Sequence, residues 1–190
     1  MTNRSDEIID AAYACFTRHG ARRTTMLDLA EQAGMSRPAL YQYFRSKEEV
    51  FRALVERLLA DALAASERAA ASELQPTDRL TGILLAKLEL VMRIWRDSPA
   101  HAAELLGVDT RVSLEALQGY DQAMLELLAR TVHESYPAAD SREAAELLLA
   151  FTRGLEAGVS DPAALPDRLR RGVEVFVAGL NSLTPSKEQP

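Results

Sequence analysis

Arg37, Tyr41, Gln42, Tyr43 and Lys47 fall within one short stretch of the chain, and their side chains share one kind of chemistry. A guanidinium and an amide offer the donors and acceptors that suit base edges, while phenol hydroxyls and an ammonium suit phosphate oxygens. At 100° per residue on a helix, Arg37, Pro38, Gln42 and Arg45 lie largely opposite Leu40 and Phe44, which are four apart and share the apolar face. Tyr41 and Tyr43 flank that face, where a ring can pack and its O–H can reach a phosphate.

Such side chains need a rigid element beneath them, and the flanking residues provide it. Thr25 followed by Asp28 has the spacing of an N-cap with a capping box. Leu27, Leu29, Ala30 and Ala33 give the helix that follows a narrow core-facing stripe. Gly34 is placed to end that helix in a left-handed conformation. Ser36 caps the next helix, and Pro38 sits in its first turn, where a missing N–H costs nothing. Ser46 caps a third helix, with Lys47 in its first turn. A cation there opposes the helix dipole, a local cost that makes sense if Lys47 faces a phosphate. Short helix, tight turn and second short helix form a helix-turn-helix, the arrangement that sets a helix into the DNA major groove.

Residues 6–52 resemble the N-terminal domain of the tetracycline-repressor (TetR) family of transcriptional regulators. The resemblance rests on Phe16, Gly20, Thr24-Thr25-Met26, Leu29-Ala30, Ala33-Gly34-Met35-Ser36, Leu40-Tyr41, Tyr43-Phe44 and Lys47-Glu48. It is dense over about a quarter of the chain. Further on it is looser, resting on helix layout and a Gly154…Asp161-Pro162 stretch. The resemblance implies an all-α homodimer, with a three-helix DNA-binding domain and a larger C-terminal regulatory and dimerisation domain. By position it implies DNA contacts from Thr25, Ser36, Arg37, Pro38, Ala39, Tyr41, Tyr43 and Lys47; Gln42 falls at a position that varies in the family. Arg37 is the first choice for reading a base, at guanine, while Tyr43 and Lys47 position the backbone. It also implies a small-molecule effector, with repression relieved by ligand as the family default.

Size and charge agree with a two-part reading. The chain has 190 residues and a net charge of −6, and no alternating strand pattern stands out, so an all-α fold is expected. Residues 1–50 hold seven Lys/Arg and seven Asp/Glu, so the whole negative excess lies in residues 51–190. Those two spans are the expected DNA-binding domain and the expected ligand-binding and dimerisation domain. From Arg18 to Lys47 there are six cations against two anions, a locally basic module on an acidic body. Arg22 and Arg23 fall in the loop after the first helix, where they could touch phosphate or simply be solvated.

Helices are expected from about residue 5 to 19, from Ser46 to about Ala71, over 78–96, 99–106, 110–134 and 141–158, and from about Pro166 to Leu183 with a polar tail beyond. Glu73–Thr77 is the expected linker. The last two helices are apolar over more than one face. Leu147, Leu148, Phe151, Val173, Phe176, Val177 and Leu180 are therefore candidates for a two-fold dimer interface, and Gly154, Gly158, Gly172 and Gly179 would allow close approach. A dimer predicts two inverted half-sites on DNA.

Met92, Trp95, His101, Tyr120, Met124 and Phe151 are candidates for an effector pocket centred on Trp95, His101 and Tyr120, taking mostly apolar or aromatic ligands, although each taken alone fits a core role. Arg96, Arg111 or Arg153 could pair with an anionic ligand. Cys15 is the only cysteine, so neither an intrachain disulfide nor a cysteine-based zinc cluster is possible, and an inert core thiol is expected. The polar, charged first residues do not form a signal peptide, and a cytoplasmic setting is expected.

No cofactor, metal site or catalytic site is expected. His101-x-x-Glu104 is a lone metal-like pair, and no nucleophile elbow, Gly-rich phosphate loop or HExxH accompanies it. The competing reading is a helical protein-interaction module without specific DNA binding.

Overall fold

A computed structural model describes residues 4–107, 110–157 and 161–183, with the side chains of 110–112 and 183 outside the description. Every regular element among the described residues is helical: α1 (Arg4–His19), α2 (Met26–Gln32), α3 (Arg37–Leu40), α4 (Lys47–Ala70), α5 (Pro76–Asp97), α6 (Ala102–Gly107), α7 (Thr110–Ser135), α8 (Ser141–Ala157) and α9 (Leu165–Leu183), with a 3-10 turn at Pro162–Ala164. No helix among the described residues is long and apolar enough to cross a membrane. The linker spans residues 71–75, two residues earlier than the expected Glu73–Thr77 and of the same length. Pro76 opens α5, because its missing N–H and fixed φ suit a first helical turn.

The chain divides into two compact units. One comprises residues 1–60 with 91–117, the other 61–90 with 118–190. In the first, Ile8, Ala12, Cys15 and Phe16 of α1 pack with Leu29 and Ala30 of α2, Leu40, Phe44, and Val50, Phe51 and Leu54 of α4. The Phe16 and Phe51 rings meet edge-on at 5.4 Å. Cys15 is buried, and burial pushes its thiol pKa up, which keeps it protonated. Leu27 departs from the expected stripe and is 50% exposed. Met26, Leu29, Ala30 and Ala33 fall within one arc of the α2 wheel, and Leu27 points about 100° from its centre.

The second unit is a core of long apolar stripes. Leu80, Ile83, Leu84 and Leu88 of α5, Met124 and Leu128 of α7, Leu148 of α8 and Leu169 and Val173 of α9 are fully or almost fully buried. Lys87 is also buried, held to Glu156 of α8 at 2.5 Å. A Cβ at Gly172 would lie 2.1 Å from Phe151 Cζ, so this glycine lets the α8 ring lie against the α9 backbone.

Candidate nucleic-acid interface

The two short helices are fixed by their ends. The Thr25 hydroxyl accepts from Asp28 N at 3.3 Å, while Asp28 Oδ2 accepts from both the Thr25 N–H and its hydroxyl at 2.8 Å, a complete capping box. These bonds to the charged form lower the Asp28 pKa. Gly34 has φ +63°, and Met35 N returns to Ala30 O at 2.9 Å, closing the turn. Ser36 caps α3 through Ala39 N at 3.3 Å.

The α-helix after this cap is shorter than expected. It ends at Leu40 instead of continuing to Arg45, because the Gln42 and Tyr43 N–H groups bond to Ala39 and Leu40, three residues back. Phe44 N still reaches Leu40 O at 3.0 Å, so Leu40 and Phe44 stay buried side by side.

Thr25, Ser36, Arg37, Pro38, Tyr41, Gln42 and Tyr43 are exposed, and Ala39 and Lys47 are half-buried. Arg37 and Tyr41 are coupled: the guanidinium stands 5.5 Å from the ring centroid and donates to the phenol oxygen at 3.2 Å. That contact holds the long Arg37 side chain near one geometry before any ligand arrives.

Lys47 is engaged differently from the expectation. Its Nζ donates to Ala21 O at 2.8 Å and to Arg22 O at 3.1 Å, so its charge is offset by loop carbonyls of its own chain. Glu104 also holds this loop, accepting from Arg22 N at 2.8 Å. Gly20, at φ +78°, lies so close that a Cβ would be 2.7 Å from Glu104 Oε2. The His101–Glu104 pair thus serves loop packing, with Nδ1 and Oε2 at 3.9 Å. Among the described residues no group of three or more possible metal ligands gathers. Two further ties were not legible in sequence: Tyr13 OH donates to Asp97 at 2.7 Å, and Ser98 Oγ to Thr17 O at 2.6 Å.

The expected effector set splits between the units. Met92, Trp95 and His101 fall in the first unit, and Tyr120, Met124 and Phe151 in the second. Met92, Tyr120 and Met124 are buried, while Trp95, His101 and Phe151 are half-buried. The Phe151 ring is taken up against Gly172, which suits packing rather than a ligand wall. Tyr120 stands out because its buried hydroxyl has no hydrogen-bond partner among the described residues; burial, with Glu156 and Asp121 nearby, pushes its phenol pKa up. Arg153 is paired with Asp121 at 3.0 Å and Arg96 lies 3.7 Å from Asp97; the Arg111 side chain lies outside the described residues.

The expected dimer set also divides. Leu148, Val173, Val177 and Leu180 are buried in their own unit, so little of their side chains is available to a second copy. Leu147 and Val175 are 52% and 71% exposed. With Phe176, Gly179 and Leu180 they help line an apolar recess of about 470 Å³ between α8 and α9. Gly158 lies outside the described residues, as does the tail after Leu183.

Residues 8–54 match the family described as bacterial regulatory proteins, tetR family. YfiR, an HTH-type transcriptional regulator of Bacillus subtilis (strain 168), is 42% identical over 67 residues, covering 35% of this chain and 33% of YfiR. The HTH-type transcriptional repressor KstR2 of Mycobacterium tuberculosis (strain ATCC 25618 / H37Rv) is 33% identical over 91 residues, covering 48% of this chain and 46% of KstR2. The chain thus matches between a third and a half of the length of these relatives. A transcriptional regulator from Cytophaga hutchinsonii ATCC 33406 superimposes with a TM-score of 0.77 at 20% identity, over 92% of this chain and 96% of that one. A SmeT–triclosan complex superimposes with a TM-score of 0.66 at 26% identity, over 94% and 90%.

Proposed function

We propose that this chain, whose residues 8–54 belong to the tetR family of bacterial regulatory proteins, is a ligand-responsive, sequence-specific DNA-binding transcriptional regulator. The observation that carries this reading is the exposed row Arg37, Pro38, Tyr41, Gln42 and Tyr43 on a turn held rigid by two caps and Gly34. In this reading residues 1–50 are the DNA-binding domain and residues 51–190 the ligand-binding and dimerisation domain. Arg37 reads a base edge, Thr25, Ser36 and Tyr43 position phosphates, and Lys47, with two of its three donors on the Ala21 and Arg22 carbonyls, offers the third to a phosphate. Two copies join through the exposed side of α8 and α9, around Leu147, Val175 and Phe176, and present two half-sites to an inverted-repeat operator. It acts in the cytoplasm as a repressor, released by a small molecule that binds DNA-competent and DNA-incompetent states with different affinity. That KstR2 is a repressor and that SmeT is complexed with triclosan support this choice.

Selection of binding sites from random duplex DNA with the full chain, followed by a salt titration on the winning sequence, tests the reading. The expected result is an inverted-repeat consensus with steep salt dependence. Arg37→Ala should cost about 1–3 kcal/mol at one base position, and Lys47→Ala should weaken all sequences alike. A chain that enriches no sequence at low salt, with or without cell extract, is a protein-interaction module instead.

A further inference from the structure

The first unit contains a recess of about 210 Å³ lined by Arg18 and His19 at the end of α1, Arg23 in the following loop, Asp28 of α2 and His101 just before α6. Unlike the ion-paired arginines, its cations have no carboxylate partner, and they differ from other solvated arginines in gathering at one recess. Arg57, Arg79, Arg153 and Arg170 are each held by a carboxylate. The side chains of Arg18, His19 and Arg23 make no hydrogen bond or ion pair among the described residues. Two carboxylates close by are hydrogen-bonded but keep their charge, and His19 acts electrostatically on Asp28. Asp28 closes the capping box of Thr25, and Glu104 accepts from Arg22 N while lying 3.9 Å from His101 Nδ1.

We propose that this recess binds a phosphate group, with Arg18 and Arg23 as its fixed charges and His19 and His101 as N–H donors. The guanidinium fork matches the spacing of phosphate oxygens, and each imidazole ring can turn an N–H toward the anion. The volume accommodates a tetrahedral oxyanion with its water, and lies below the roughly 300–1,000 Å³ of sites for drug-sized organic ligands. Asp28 belongs both to this recess and to the cap at Thr25, so the site adjoins the N-terminus of α2. The duplex backbone flanking the base-reading contacts is therefore the source of the phosphate, a part of the inference that rests on the DNA-binding reading. It extends the DNA footprint to residues at the end of α1 and before α6.

The three histidines make the site directly readable. His19 and His101 line the recess, while His133 lies on α7 in the other unit and serves as an internal control. Inorganic phosphate is titrated into the full chain while the imidazole signals are followed by NMR. Saturable shifts at His19 and His101, absent at His133 and abolished in the double variant Arg18→Gln/Arg23→Gln, are expected. In the second arm, the same variant binds duplexes carrying the selected site with short or long flanks. It should weaken only the long-flank duplex, and the slope of log affinity against log salt should fall by about 0.9 for each phosphate that is no longer neutralised.

Histidine shifts without any change in DNA binding would assign the site to a free phosphate-bearing ligand and remove the backbone as its source. Histidines that do not respond, or all three responding alike, with full affinity and salt slope in the variant, would overturn the proposal while wild-type binding left the regulator reading intact. If the wild type binds no DNA, the regulator reading fails separately and the histidine arm alone decides the site.

Discussion

The α2–α3 pair and the α8–α9 pair solve the same problem, holding two helices together, by opposite means. The first pair has seven and four residues, too few to be helical on propensity alone. End chemistry specifies it, through Thr25 with Asp28, Gly34, Ser36 and Pro38. The second pair has seventeen and nineteen residues and is specified by apolar stripes. Paired and unpaired cations occur in both units among the described residues, with Arg57 held by Asp10 in the first. The second unit pairs Lys87 with Glu156, Arg79 with Glu134, Arg153 with Asp121 and Arg170 with Asp78. The first unit leaves Arg18 and Arg23 without an ion-pair partner among the described residues and braces Arg37 against a neutral ring. Paired cations serve the scaffold, and unpaired ones are available to an external anion.

The largest test, of how burial weights these pairs, is Lys87→Met. It leaves the half-buried Glu156, with 17% of its side chain exposed, without its cation, which should destabilise the second unit by about 2–3 kcal/mol, below the roughly 3–5 kcal/mol of a fully buried pair. Arg170→Ala removes an ion pair whose side chains are half exposed, and should cost below about 1 kcal/mol. Urea denaturation of both variants measures the contrast. Equal losses would mean that burial does not set the weight of these pairs.

The two left-handed glycines give the next test, entirely within the first unit. Gly34→Ala meets nothing within 4 Å, so only the backbone conformation opposes it, at about 1–2 kcal/mol. Gly20→Ala carries the same backbone cost and also drives a Cβ to 2.7 Å from Glu104 Oε2 and 3.2 Å from His101 Nδ1. It should therefore be the more destabilising in a thermal melt. The reverse order would mean that Glu104 does not grip the loop.

These cases mark what was legible in the sequence. Caps and turns act within four residues, so Thr25, Gly34 and Ser36 could be assigned from spacing, as could most helix ends. What was missed acts across distance. Glu104 reads as half of a metal pair until its bond to Arg22, 82 residues earlier, is seen. Lys47 reads as an uncompensated cation until the Ala21 and Arg22 carbonyls are found against it. In the run Leu147-Leu148-Leu149 the apolar excess was plain but its phase was not. Three adjacent leucines cover most of a helix circumference, so burial of Leu148 and exposure of Leu147 depend on where α9 lies.

A smaller effect tests whether the caps carry the short helices. Thr25→Ala removes the hydroxyl that caps Asp28 N and should cost about 1 kcal/mol. It should also raise amide exchange first at Met26–Asp28. Loss of protection spread evenly over the first unit would show that α2 is held by packing instead, as in the second unit.

The finest test sets one tyrosine from each unit against the other. The Tyr13 hydroxyl donates to Asp97 at 2.7 Å, so Tyr13→Phe gives up a charge-assisted bond at a partly exposed site. The Tyr120 hydroxyl is buried without a partner among the described residues, so Tyr120→Phe gives up nothing and should leave stability unchanged or slightly higher. Alkali separates the two wild-type groups from ordinary phenols. Burial first, then the Asp97 hydrogen bond and charge, push the Tyr13 pKa from 10.0 to about 12, and burial of Tyr120 pushes its phenol up as well. A raised folded-state pKa means that the folded chain holds its proton longer. The stabilisation is complete below pH 10.0 and is lost as pH climbs through the folded value, for Tyr13 about 12. Phenolate absorbance during an alkaline titration should therefore show the tyrosine signal removed by Tyr13→Phe among the late-titrating groups, and the variant should lose less stability than wild type over that window. An early-titrating Tyr13 would break its link to Asp97.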